Sequence, residues 1–197
     1  MPLEKSVIKR SINFLFLSIT ISVVMMVITY VINPNINEVT AGIGSGVSKQ
    51  ISESSGMGKV WAFIFNNGFI VPLQMFVLAL IPIPFLFLLN LISTVALPGI
   101  LFGVALHIEE GYGLIFATLP HYLFEVFAYC LFAAVLYSLN QNMRMQIKTI
   151  FKREKTEVPL FESILDTAKS FVVLVLPLII VAAFLETYIA DLIFDLF

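Results

Sequence analysis

Five stretches of this chain are each long and apolar enough to cross a bilayer, and nothing else in the sequence constrains the fold as strongly. A hydrocarbon core about 30 Å thick needs roughly 20 mostly apolar residues in a helix that rises about 1.5 Å per residue. Such runs fall at about 11–32, 61–81, 85–107, 115–139 and 167–189. Inside a bilayer every main-chain N–H and C=O must find a partner within the protein, so each run is expected to be helical. The expected fold is all-α: a polytopic transmembrane helical bundle of about five spans, forming a single integral membrane domain over residues 1–197. Pro72, Pro98 and Pro177 lie within these runs and are expected to kink their helices, giving Pro/Gly-broken spans, and Pro120 falls in the first turns of the fourth. Composition agrees, with 59% hydrophobic and only 12% charged residues, against about 25% charged in soluble domains.

The ends and connections suggest an orientation. Lys5, Lys9 and Arg10 precede the first run, which resembles a signal peptide but is about 20 residues long with no prompt small-residue cleavage site, so an uncleaved first span is expected. Asn33-Pro34-Asn35 should end it. The connection 33–60 contains the glycine-rich piece Gly42 to Gly46 and then a segment with Val47 and Ile51 four apart, suited to a short helix on the membrane surface. The connection 140–166 is polar and mixed in sign, suited to anionic headgroups or to a cytosolic partner such as a transporter ATPase. With five spans and the N-terminus in the cytoplasm, nine of the eleven Lys and Arg residues fall on the inner side. The positive-inside rule therefore predicts a multi-pass cell-membrane protein with its N-terminus cytoplasmic, its C-terminus extracellular, the 33–60 connection outside and the 140–166 connection inside. No basic block suggests nucleic acid, and the single cysteine, Cys130, cannot form an internal disulfide.

Within that topology the polar residues of three spans share one layer. His121 and Glu125 stand four apart in LPHYLFE and so occupy one helix face. Asn66 and Asn67 near the start of the second run, and Glu186 near the end of the fifth, come to a similar outer depth, with His107, Glu109 and Glu110 capping that side. Carboxylates within spans face protein or water rather than lipid. The cluster is open to three readings: an interhelical hydrogen-bond network, an outward-facing pocket for a ligand or partner, or a divalent metal site. For the last, His121 and Glu125 joined by Glu186 or His107 would supply nitrogen and oxygen ligands. The chain has no HExxH, GxSxG or phosphate loop, so no hydrolytic or nucleotide chemistry is indicated and no cofactor is required. Gly99 and Gly103 form a GxxxG that permits close helix packing.

These pieces together resemble the stage II sporulation protein M family of small integral membrane proteins. The resemblance rests on FIFNNGF (Phe63 to Phe69), LPGILFG (Leu97 to Gly103), LPHYLFE (Leu119 to Glu125) and LPLIIVAAFLETYI (Leu176 to Ile189), and it runs from the first span to the fifth. This chain has Pro98-Gly99 where an asparagine-glycine pair is common in the family, and Tyr122 where a glycine commonly follows the histidine. The resemblance points to Asn66, Gly99, Gly103, His121, Glu125 and Glu186 as shared positions. It implies a membrane scaffold that works with partner proteins, as the namesake does with peptidoglycan-degrading proteins during engulfment in spore formers. Relatives beside transporter genes or linked to circular bacteriocins imply a component of a transport or export system instead. The expected function is thus a non-enzymatic scaffold or accessory protein in the lipid bilayer, assembling with copies of itself or with other membrane proteins and presenting an outward-facing polar pocket. The alternatives are a transport component and a metal-dependent membrane enzyme.

Overall fold

The computed structural model describes residues 5–34, 55–152 and 159–197. The glycine-rich piece at 42–46, most of the expected surface segment after it, and the middle of the 140–166 connection lie outside the described residues. Among the described residues five helices are long and apolar enough to cross a membrane: α1 (Lys5–Ile32), α2 (Met57–Leu80), α3 (Leu88–Ala105), α4 (Gly111–Lys152) and α5 (Leu160–Phe194). Among the described residues there are no strands, and the chain is an all-α membrane bundle.

Several helices continue past their apolar runs because the flanking residues keep good helix propensity and cost little in water. The clearest case is α4, whose 42 residues correspond to a length of about 63 Å. That exceeds the hydrocarbon thickness, so its far end carries Arg144 and Lys148 beyond the apolar region. α1 stops where Asn33 takes a left-handed conformation (φ 49°) and its N–H bonds to Thr29 O at 2.9 Å, with Pro34 next.

α4 is the central post. It packs against all four other helices, and its apolar window is 61% buried within the protein, against 17% for α1. Tyr129, Leu136, Cys130 and Ala133 of α4 are fully enclosed with Met75 and Ala79 of α2, Val95 of α3 and Val175 of α5. α1 lies at the periphery against α3 and α4. The residues it buries are small hydroxyls: Ser11, Ser18, Ser22 and Thr29. Where helix association draws no strength from a hydrophobic effect, small side chains that admit close backbone approach are what hold such a seam. Gly103 on α3 shows how close it is, since a Cβ there would stand 2.6 Å from Met26 O, and a Cβ at Gly99 would strike the Ser22 carbonyl. Ser22 Oγ donates to Val95 O at 2.7 Å, and Ser22 and Tyr122 of α4 share a further hydrogen bond between their hydroxyls.

The α2–α3 turn contains Pro82 and Pro84, which remove two main-chain donors, and Phe85 at φ 62°. Carbonyls of this turn are gathered by one buried side chain: Asn140 of α4 donates from Nδ2 to Ala79 O (2.9 Å), Ile81 O (2.7 Å) and Ile83 O (3.3 Å). Arg10 of α1 reaches the same end of the bundle, donating to Ser138 Oγ at 2.9 Å and lying 4.5 Å above the Tyr137 ring. The basic starts of α1 and the basic end of α4 therefore share one end. At the other end, Tyr30 stacks on His107, and Phe116 stacks on Phe197.

Candidate functional site

Among the described residues three turns are wider than an α-helix, and two of them build the polar site. In α2 the turn Asn66–Ile70 is π-helical, and the N–H of Val71 bonds to Asn66 O, five residues back. The cause follows immediately in sequence. The ring of Pro72 would collide with the carbonyl four residues earlier, and one extra residue in the turn moves that carbonyl aside. α5 repeats the device at Phe171–Val175 with Pro177 just beyond. A third π turn, Leu185–Ile189, has no proline after it and carries Glu186.

In α2 the widening leaves the Asn67 carbonyl without a main-chain donor: Val71 N–H is committed to Asn66 O, and Pro72 has no N–H. The phenol of Tyr129, from the centre of α4, donates to Asn67 O at 2.9 Å. Asn66 Nδ2 donates to Asn67 Oδ1 at 2.6 Å. On α4, Pro120 sits directly before His121, and Glu125 follows one turn later. His121 Nδ1 lies 2.5 Å from Glu186 Oε2, and neither atom has another hydrogen-bond partner among the described residues. Glu125 lies on the same face of α4 as His121 and Tyr129, one turn from each, and borders the same space as Asn67 and Glu186.

Asn67, His121, Glu125 and Glu186 line one small cavity together with Phe63, Ile179, Ala182 and Ala183. Its free volume of about 10 Å³ to the centre of a water-sized sphere is room for one water. Their side chains are only partly enclosed, with 14% of His121 and 21% of Glu186 exposed. Asn67, His121 and Glu186 fall at a common depth, eight to ten residues from the nearer ends of α2, α4 and α5, or about 12–15 Å along each axis, and Glu125 lies one turn deeper on α4. The next turns toward the basic end are apolar: Met75 and Ala79, Phe132, Ala133 and Leu136, and Val175 are all buried.

The structure thus brings together Asn66, Asn67, His121, Glu125 and Glu186. His107 stands apart from them. It stacks on Tyr30 at 4.7 Å, and its Nε2 donates to Tyr30 O at 2.9 Å, so it fastens α3 to α1 and is no partner of His121. Among the described residues no three His, Cys, Asp or Glu side chains converge as a metal-binding group, and the two carboxylates and His121 are not arranged around a common ion. Gly99 and Gly103 face α1, away from this cavity. Sequence reasoning overlooked Tyr129, which shares the Glu125 face at a spacing of four, and Asn140, whose amide in an apolar run signals a main-chain cap. It also overlooked the Ser11, Ser18, Ser22 and Thr29 stripe, whose spacings of seven and four mark one helix face.

The sequence profile of a known family, described as stage II sporulation protein M, matches residues 11–191. Comparison with curated proteins and comparison with solved structures each give no match. The family match reaches into all five helices and covers the whole polar site, and the chain belongs to the stage II sporulation protein M family.

Proposed function

We infer that the protein is a non-enzymatic membrane scaffold or accessory subunit, which assembles with copies of itself or with other membrane proteins and offers its polar cavity to one face of the membrane. One observation carries this reading. The polar site is closed toward the basic end by the buried apolar layer of Met75, Phe132, Leu136 and Val175. A transport path needs polar or wet lining through the full thickness of the membrane, whereas a docking or recognition site needs it on one side. The segregation of basic residues supports a closed side toward the cytoplasm and a cavity facing outward in this reading.

A second reading has its own support. Two proline-broken helices, α2 and α5, meet at the cavity, and interrupted helices around a mid-membrane site are a recurrent transporter arrangement. The two readings separate by experiment. Photo-crosslinking groups placed on exposed α1 positions such as Val24 and Val27, in cell membranes, test assembly directly. The scaffold reading predicts discrete crosslinked species containing a second copy or another membrane protein. Lipid adducts alone, at every exposed face scanned, would contradict it.

A further inference from the structure

Lys5, Lys9 and Asn13 stand four apart on one face of α1, with Ile8 and Ile12 between them, and these side chains line a recess of about 250 Å³ at the basic end of the bundle. None of the three polar groups is paired within the chain. Among the described residues the ion pairs are His121–Glu186 and Lys169–Asp166, and α1 carries no Asp or Glu. The Asn13 amide has no hydrogen-bond partner among the described residues. Arg10, the remaining cation of these turns, points elsewhere, donating to Ser138 Oγ of α4 and lying over the Tyr137 ring.

Both features are unfavourable as they stand. Two ammonium groups one helical turn apart repel each other. An amide that meets only hydrocarbon loses the hydrogen bonds it makes in water. One kind of molecule answers both. We propose that this face of α1 is a binding site for an anionic phospholipid: Lys5 and Lys9 hold the phosphate, Asn13 donates to an ester carbonyl, and an acyl chain runs along the exposed row from Ile12 to Val23.

Depth along the helix fits each part. The apolar run begins near residue 11, so Lys9 and Lys5 lie about 3 and 9 Å before it, in the headgroup layer, and Asn13 about 3 Å inside it. Ile12, Phe16, Ile19 and Val23 are all exposed, and their spacings of four, three and four keep them on one face. From Ile12 to Val23 is about 16 Å, close to half of a hydrocarbon core of about 30 Å, which is the depth of one leaflet. Charge selects the headgroup. A choline headgroup would bring its own cation beside two lysines that have no counter-charge, whereas a glycerol headgroup leaves the phosphate charge for them. The inference is independent of what the protein assembles with and of which side of the membrane the basic end faces.

The test uses the full chain in detergent with equimolar phosphatidylglycerol and phosphatidylcholine, read by native mass spectrometry. The expected result is retention of phosphatidylglycerol in preference to phosphatidylcholine. Lys5→Gln and Lys9→Gln should each lower that preference roughly fivefold, the factor for one lysine near an anionic surface. Lys148→Gln, exposed at the same end on α4, should leave it unchanged. Phosphatidylglycerol with a photoreactive group on its acyl chain should label α1 between Ile12 and Val23. Equal retention of the two lipids would overturn the proposal, as would an equal loss of preference from Lys148→Gln. Displacement of the lipid by glycerol 3-phosphate would also overturn it, in favour of a soluble phosphate compound. Protein adducts in place of lipid adducts from a photo-crosslinker at Ile12, in cell membranes, would overturn it in favour of a partner chain. Lipid retention and acyl-chain labelling on the unaltered chain decide the matter without any variant.

Discussion

His121 Nδ1 on α4 lies 2.5 Å from Glu186 Oε2 on α5, and it joins a proline-preceded turn of one helix to a π turn of the other. Two groups that each threaten the stability of a membrane span are made compatible with it by facing one another. Removing one partner leaves the other without a counterpart, so Glu186→Ala or His121→Ala should each destabilise the bundle by about 1–3 kcal/mol. The double variant should cost less than the sum of the two. Thermal unfolding in detergent, run as a double-mutant cycle, measures the coupling. Strict additivity would mean that the contact contributes nothing to stability.

The α1 seam tolerates no added volume. Gly103→Leu places a branched side chain where a Cβ alone would come within 2.6 Å of Met26 O and 2.7 Å of Thr29 Cβ. Backbone atoms cannot yield as a flexible side chain does, so α1 should separate from α3. Ser22 Oγ now meets the Val95 main-chain carbonyl at 2.7 Å, so spin labels placed on exposed positions of α1 and α3, such as Val23 and Leu101, should move apart with Gly103→Leu. The polar cavity, which α1 does not line, should keep its His121–Glu186 coupling.

Asn140 is 1% exposed, and its amide serves three carbonyls of the α2–α3 turn. Asn140→Leu preserves size but removes every donor. The expected loss is about 1–3 kcal/mol, chiefly from the buried Ala79 carbonyl left without this donor. Asn140→Asp should be as damaging, since a carboxylate there would meet carbonyl oxygens. Denaturation midpoints of the three chains check this, and an unaffected Asn140→Leu would mean that the turn finds other donors.

The π turn at Asn66–Ile70 depends on Pro72. Pro72→Ala supplies an N–H and removes the ring, so an ordinary α-helical turn becomes available. Relaxation would turn the Asn66–Asn67 pair by about 100° relative to the following segment. The expected outcome is a chain that still folds but whose Asn67 carbonyl no longer depends on Tyr129. Tyr129→Phe should then be markedly less destabilising in the Pro72→Ala background than in the unaltered chain. Equal effects in both would contradict the link between the proline and the phenol.

Much of this architecture is legible in the sequence, for a plain reason. Five apolar runs dictate five helices because a bilayer admits no other pairing for their backbones. The i, i+4 spacing of His121 and Glu125 fixes their shared face, and the order of spans brings Glu186 to the same depth. What the sequence withholds depends on partners distant along the chain. Tyr129 is an ordinary core aromatic until the carbonyl it serves, 62 residues away, is left without a donor. Asn140 is an ordinary polar residue near a helix end until the Pro82–Pro84 turn folds against it. Depth alone places His107 with the polar cluster, but its ring settles on Tyr30, because depth does not specify direction around the bundle.

The account rests on a polar cavity open to one face only. Single cysteines at Asn67, Ala183, Leu136 and Val175, in a Cys130→Ser background, can be probed in oriented membranes with a membrane-impermeant thiol reagent. The prediction is labelling at Asn67 and Ala183 from the extracellular side alone, with none at Leu136 or Val175 from either side. Labelling of Leu136 or Val175 from the cytoplasmic side, together with Asn67 from the other, would reveal a continuous wet path and contradict the scaffold reading in favour of transport.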